Sequence, residues 1–551
     1  MLGSSIRLLL CSALFCLQFT FAQTSNGEKK FTHADSLRGS LSKARTWWDV
    51  MHYTILVEPD YVQKTISGKV DIQFKAIAAH DTMQIDLQEP IQLNKAYLGD
   101  EQLRYFRDGN AYFILLSKSI KIGTEAKLAL SFSGKVTEAI RPPWDGGWIF
   151  SKDKKGNPWM SVACQGLGAS VWYPCKDHQS DEPDRGALLR ISVPDTLMAI
   201  GNGRLKGKQQ YKKGWTVYDW EVKNPINNYN IIPYIGKYAH FNERYCGEKG
   251  KLDCDYWVLE EELEKATEQF KQVPLMLKAF EHWFGPFPFY EDGFKLVQSP
   301  HLGMEHQSAV AYGNGFQNGY RGRDLSGSGW GLKWDFIIVH ESGHEWFGNN
   351  ITSNDLADMW LHESFTNYSE TLFTDFHFGT DAGNAYVQGT RALIRNDAPI
   401  IAKYNVNDQG SGDMYYKGGN LVHMIRQLFK SDEKFRNALR ELNKTYYHKT
   451  VNTEEVEAFF SSKTGLNLSP VFDQYLRNTT IPTLEIKKGK KEIMYRWKDC
   501  IATFNMPVRL IFDKELKWIY PTSSWKTLKT SADFSKLTVD KNFYVGLNKS
   551  S

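Results

Sequence analysis

The stretch "FIIVHESGHEWFGNNITSNDLADMWLHESFTNYSE", residues 336–370, decides how the rest of the chain is read. It opens on an apolar run and then places His340 and His344 four apart, with Glu341 beside the first. On a helix, residues four apart sit about 40° from one another around the axis, so both imidazoles can reach one ion while Glu341 stands next to it. "WDFIIV" ahead of the pair supplies the apolar body of a buried helix, and "GNN" after it supplies a stop. In a chain with 14 histidines such a pair can arise by chance as two satisfied core or surface side chains. A zinc ion that performs chemistry takes three protein ligands and keeps one position open, so a third ligand is required. Glu363 supplies it. It follows His344 after 18 intervening residues, on a second helical run "LADMWLHESFTNYSETLF", with "TSNDLAD" as the reversal between the two helices.

Around this stretch the bulk properties set bounds. At 551 residues the chain exceeds what one core supports, and two to four domains are expected. With 42% hydrophobic and 24% charged residues, and no internal apolar run near the ~20 residues of a membrane span, the mature chain reads as soluble, without a transmembrane anchor. A net charge of +4 spread without a basic block gives no sign of nucleic-acid binding. The start, "MLGSSIRLLLCSALFCLQFTFAQ", has Arg7, an apolar run from Leu8, and small residues Thr20 and Ala22, the layout of a signal peptide (residues 1–22) that directs export to a periplasm or beyond. Acylation at Cys11 or Cys16 is the weaker alternative, because Phe15 is bulky and the run before Cys11 is short. Cleavage leaves Cys164, Cys175, Cys246, Cys254 and Cys500, none in a CxxC pair; Cys246 and Cys254 bracket the polar turn "GEKGKLD", and a hairpin disulfide is expected there.

After a leader at 23–46, residues 47–238 alternate in period two, as in "ISGKVDIQFKA" with Val70, Ile72, Phe74 and Ala76 on one face, and predict an antiparallel β-sandwich-like domain. Residues 239–482 turn mainly helical, with apolar residues at helical spacing around Phe336, Asn420–Leu428 and Glu454–Phe460. The tail, 483–551, returns to short strands and predicts a small β-sandwich module, giving a multi-domain α+β protein. The glycine-rich run "GNGFQNGYRGRDLSGSGWG" ahead of the histidines is the candidate mobile loop.

"HESGHEWFGN" followed by the glutamate of "WLHES" resembles the zinc aminopeptidases of the aminopeptidase N family, which includes leukotriene hydrolase. The likeness continues in "HLGMEHQSAVAYG", similar to the family's GxMEN signature at Met304 and Glu305; in "MYYKGG", where Tyr415 matches the family tyrosine; and in "CQGLGASVWYPCKD", where Gln165 takes the matching position. The resemblance implies a thermolysin-like catalytic domain and one Zn²⁺ per chain on His340, His344 and Glu363. It implies Glu341 as general base and Tyr415 as oxyanion partner. Glu305 and Gln165 would then bind the free amine of a peptide substrate, on a substrate-binding loop with Gly303, Met304 and His306. The expected activity is removal of N-terminal residues from peptides; the alternatives are a non-peptide substrate on the same scaffold, or a silent exported protein that binds peptides or glycans. Departures are Leu302 for the signature glycine, His306 for its asparagine, and Glu345 and His362 beside the metal ligands. His306 could compete for Glu305 or fill the asparagine's structural place, and the latter is favoured because only a hydrogen bond is needed. The large helical domain the family often carries after the small β module is expected to be absent. The sequons at Asn350 and Asn367 lie too close to the site to carry glycans.

Overall fold

The computed structural model describes residues 29–512 and 515–550; the expected signal peptide lies outside the described residues. The first described element is a short helix, α1 (His33–Gly39), closed at its start by a capping box between Thr32 and Asp35. A β body follows. Its main sheet has eight strands, with Trp48–Asp60 at the centre, antiparallel to Thr65–Ala76 and parallel to Ala187–Pro194. In Thr65–Ala76 the four residues Val70, Ile72, Phe74 and Ala76 are fully buried while Lys69 and Lys75 face solvent, so the period-two reading of this strand holds. Smaller sheets of four and three strands pack over this one, around a core that includes Trp47, Trp48, Trp148, Trp172 and Tyr173.

A five-stranded mixed sheet then leads into the helical body, and its edge strand is the two-residue Gly303–Met304, antiparallel to Val310–Tyr312. Helix α2 (Phe336–Gly343) is buried on every side, and the Asp335 side chain caps it by accepting from the amides of Ile337 and Ile338. Helix α3 (Trp360–Phe378) packs beside α2 and ends at Gly379, whose φ of 94° only glycine adopts readily. Helix α4 (Tyr416–Leu428) packs against α3. The glycine-rich run is an internally bonded loop: Asn314 Nδ2 donates to Gln317 O, Gly319 O and Asp335 Oδ1, and Asp324 accepts from Ser326 and Gly329.

After the helices, strands from Thr483 onward form sheets of four and three strands. Leu484, Ile486, Trp497, Leu510 and Phe543 belong to the same hydrophobic core as the helical residues Leu421, Met424 and Phe472. No described helix is long and apolar enough to cross a membrane.

The expected hairpin disulfide does not form. Strands Tyr238–Gly247 and Gly250–Leu259 pair Cys246 with Lys251 and Cys254 with Glu243, so the two cysteines are three ladder positions apart and point to opposite faces. Three positions amount to about 10 Å, beyond the ~7 Å a disulfide tolerates. Cys254 is buried, Cys246 is exposed, and both are thiols.

Candidate active site

Helices α2 and α3 bring the expected ligands together. His340 lies in the last turn of α2 and His344 caps its end in helical geometry (φ −63°, ψ −20°), so the pair keeps its common face past the helix terminus. Glu363 stands in the first turn of α3, with its Oε2 3.8 Å from His340 Nε2 and 3.4 Å from His344 Nε2. Ligand atoms of His340, Glu341 and His344 also lie within 4.8 Å of one another. Glu363 Oε2 is buried with no hydrogen-bond partner, an orphan that a cation would satisfy. Both imidazoles have their other nitrogen engaged. His340 Nδ1 sits 2.7 Å from Glu370 Oε1 and His344 Nδ1 3.0 Å from Phe347 O, which leaves both Nε2 atoms for the centre. Two imidazoles with free Nε2 atoms and a carboxylate match the donor set of a catalytic zinc. Burial would drive the histidines toward neutrality, but Glu363 and Glu370 pull them up, and the two histidines in turn hold Glu363 below the usual carboxylate range.

Glu370 went unrecognised in the sequence although it lies seven residues after Glu363, two turns along the same face of α3. Its carboxylate is itself fixed by Tyr386 Oη at 2.6 Å and Asn367 Nδ2 at 3.1 Å. A Glu370→Ala protein should bind zinc about 10–100-fold more weakly, readable by competition with a chromogenic chelator.

Glu341 is nearly buried, and burial pushes its carboxyl up to about 7, although His340 opposes the shift. Gly303 comes close to it. A Cβ at Gly303 would lie 2.5 Å from Glu341 Oε1 and 3.0 Å from Ile337 Cδ1, so a side chain there would push this carboxylate from its place. Gly303→Ala should lower kcat about tenfold to a hundredfold by displacing Glu341, with zinc content unchanged.

Glu305 is 3% exposed. Its Oε1 accepts from Tyr229 Oη at 3.0 Å and from the Gln165 amide, which reaches across from the β body. Its backbone carbonyl accepts from Asn349 Nδ2 at 2.9 Å, and Asn349 is held in turn by Asn230 at 2.7 Å. Burial raises the Glu305 carboxyl, with His344 opposing and Glu363 adding to the rise, which places Glu305 in the field of the histidine–glutamate cluster. Tyr229 and Asn349 were not anticipated; the polar cluster "NNYN" between apolar strands was the only trace of the first.

Tyr415 stacks on the His340 ring at 6.2 Å between centroids and 24° between planes. The residue is half-buried; burial, then Glu363 and Glu305, raise its hydroxyl well above the ordinary value and keep it a donor. His306 pairs with Tyr234: it is fully buried, its Nδ1 lies 2.6 Å from Tyr234 Oη, and burial holds it neutral. Met304 is buried in the edge strand. Glu345 is buried, accepts from Ser308 N at 2.8 Å, and burial pushes it up to about 8. His362 accepts from Ser353 N at 2.9 Å, and burial lowers it to about 3. Asn350 and Asn367 are 1% and 3% exposed, closed to a glycan.

Family models match two segments, the peptidase M1 N-terminal domain over residues 50–229 and the peptidase family M1 domain over 331–475, together more than half of the 551 residues. The chain belongs to the M1 peptidase family. Among M1 relatives, leukotriene A-4 hydrolase of Xenopus laevis is 24% identical over 57% of this chain and 52% of its own length. Aminopeptidase N of Lactococcus lactis subsp. lactis is 21% identical over 79% of this chain and 51% of its own. The chain thus spans about half the length of these relatives. An M1 zinc metallopeptidase from Deinococcus radiodurans, solved as a mutant bound to a Tyr-Ser-Ala substrate, superposes with a TM-score of 0.68 at 19% identity, covering 79% of this chain and 96% of that one. That likeness places the M1 fold, β body and helical catalytic body together, on this chain.

Proposed function

We propose that this chain is a zinc-dependent aminopeptidase that removes the N-terminal residue of peptides. The observation that carries the reading is the buried Glu305 carboxylate, with one oxygen held by Tyr229 and Gln165, set in the field of the His340/His344/Glu363 cluster. An amine anchor beside a hydrolytic centre makes an exopeptidase.

His340, His344 and Glu363 would hold one Zn²⁺, which when bound would supply Lewis-acid polarisation of the scissile carbonyl and acidify a water. Glu305 pairs with the substrate's α-ammonium through Oε2, which has no side-chain donor, while Gln165 and Tyr229 keep the carboxylate oriented. With the amine fixed, the first peptide bond is the one presented. Glu341 takes the proton of the attacking water and passes it to the leaving amine. The Tyr415 hydroxyl donates to the oxyanion. Gly303 and Met304 offer an edge-strand backbone along which an extended peptide can lie, with His306 tying the loop to Tyr234. The apolar start of the sequence supports export as a signal peptide, which places the enzyme in a periplasm or outside the cell.

The test is a time course by mass spectrometry on a ten-residue peptide. Successive loss of single residues from the N-terminus is expected; internal cuts, or loss from the C-terminus, would overturn the proposal.

A further inference from the structure

The amine-binding residue Gln165 sits in an unusual piece of chain. It lies in the turn Cys164–Gly168, closed by Gly168 N donating to Cys164 O at 2.6 Å. Gly168 has φ 91°, and a Cβ there would meet the Asp177 carboxylate at 2.0 Å. Gly166, next to Gln165, is exposed, and a Cβ on it would meet nothing within 4 Å. A bare glycine beside a residue that must hold its amide on Glu305 gives the turn freedom that other contacts have to remove. On the inner side Gln88 Nε2 donates to Leu167 O at 2.6 Å, and Cys164 Sγ lies 3.4 Å from Tyr229 O. On the outer side the Gly166 carbonyl accepts from Arg38 Nη1 at 2.6 Å.

Arg38 comes from the leader, in the last turn of α1, and the leader is fixed at both ends of that helix. At the C-terminal end the fully buried Arg45 donates to Arg38 O at 2.7 Å and to Ser40 O at 2.9 Å, while its other arm pairs with Asp86 at 2.6 Å. Gln84 holds Leu37 O at 3.0 Å. On the other flank α1 rests on the catalytic body: a Cβ at Gly39 would lie 2.1 Å from the Val406 backbone, and Asn407 N donates to Asp35 O at 3.0 Å. The leader therefore spans the β body and the loop that leads to Tyr415, and it presents a guanidinium anchored from behind to the backbone of the amine-binding turn.

We propose that Arg38 is a positioning residue of the amine subsite: through Gly166 it holds the Cys164–Gly168 turn so that Gln165 stays on Glu305. This rests on the aminopeptidase reading for its kinetic consequence, but its structural consequence stands alone. An amine contact made equally in ground and transition states appears in KM, so Arg38→Ala should raise KM for free-amine substrates about fivefold to tenfold with kcat within about twofold. Inhibition by a free amino acid, which uses the amine subsite, should weaken by the same factor, while inhibition by an N-acetylated hydroxamate, which engages the metal alone, stays unchanged. Arg38→Lys, which keeps a charged donor, should fall between the two.

Hydrogen exchange of a peptide covering residues 160–170 supplies the readout that needs no turnover, with exchange in the turn about fivefold or more faster in Arg38→Ala. Unchanged exchange together with unchanged KM overturns the proposal. So does an equal weakening of both inhibitors, which would mark general loosening of the site. If the wild-type protein hydrolyses no free-amine substrate, the aminopeptidase reading fails, and the exchange measurement alone then decides on Arg38: unchanged exchange overturns it.

Discussion

Glu341→Gln is expected to lower kcat by about 10³-fold while leaving zinc stoichiometry and KM nearly unchanged. Glutamine has almost the same shape, so it still fits beside Gly303, and His340, His344 and Glu363 keep their places. What is removed is the capacity to accept a proton. Burial favours this by pushing the carboxyl up to about 7, within the range where a base both binds and releases a proton near neutrality. Steady-state kinetics with parallel metal analysis checks the outcome. A variant that loses zinc along with activity would place Glu341 among the ligands, and one that keeps most of its kcat would remove it from the chemistry.

Glu305→Ala is expected to lower kcat/KM for free-amine substrates by roughly 10²-fold, mainly through KM. The magnitude follows from the loss of a buried, charge-assisted contact to the ammonium, about 1.5–3 kcal/mol. Removal also strands Tyr229 Oη and the Gln165 amide, both of which donate to the lost Oε1. The measurement compares wild type and variant on the same aminoacyl-anilide and on its N-acetylated counterpart. The ratio between the two substrates should collapse toward unity in the variant. A ratio unchanged from wild type would mean that the amine is recognised elsewhere.

The parts of this site that local spacing dictates were legible in the sequence. His340 and His344 share a face because a helix turns every 3.6 residues, and the helix itself was visible in "WDFIIV". The strand Thr65–Ala76 was visible for the corresponding period-two reason. Glu305, Tyr415 and Gln165 were nameable only through resemblance to a family, since no local pattern ties a glutamate just past an edge strand to a glutamine 140 positions earlier. Tyr229 and Asn349 were missed for the same reason: each acts through a hydrogen bond to a distant segment, and a buried tyrosine or asparagine looks like packing from sequence alone. Glu370 was within reach of helical periodicity, because its spacing from Glu363 is that of a shared face. The cysteine pair shows the opposite failure. Two cysteines around a turn suggest a bridge, but register decides, and an offset of three places one thiol in the core and the other in solvent. The leader at 23–46 carried no motif, and its role emerges only from where Arg38 and Gly39 land on the fold.

The most direct test of the central claim is hydrolysis of matched substrates, one with a free N-terminal amine and one acetylated, by the protein as prepared, after metal stripping, and after return of zinc. The account predicts turnover of the free-amine substrate only, its loss on stripping, and its recovery with one equivalent of zinc per chain. Cleavage of the acetylated substrate at a comparable rate, turnover that survives stripping, or no turnover from fully zinc-loaded protein would contradict it.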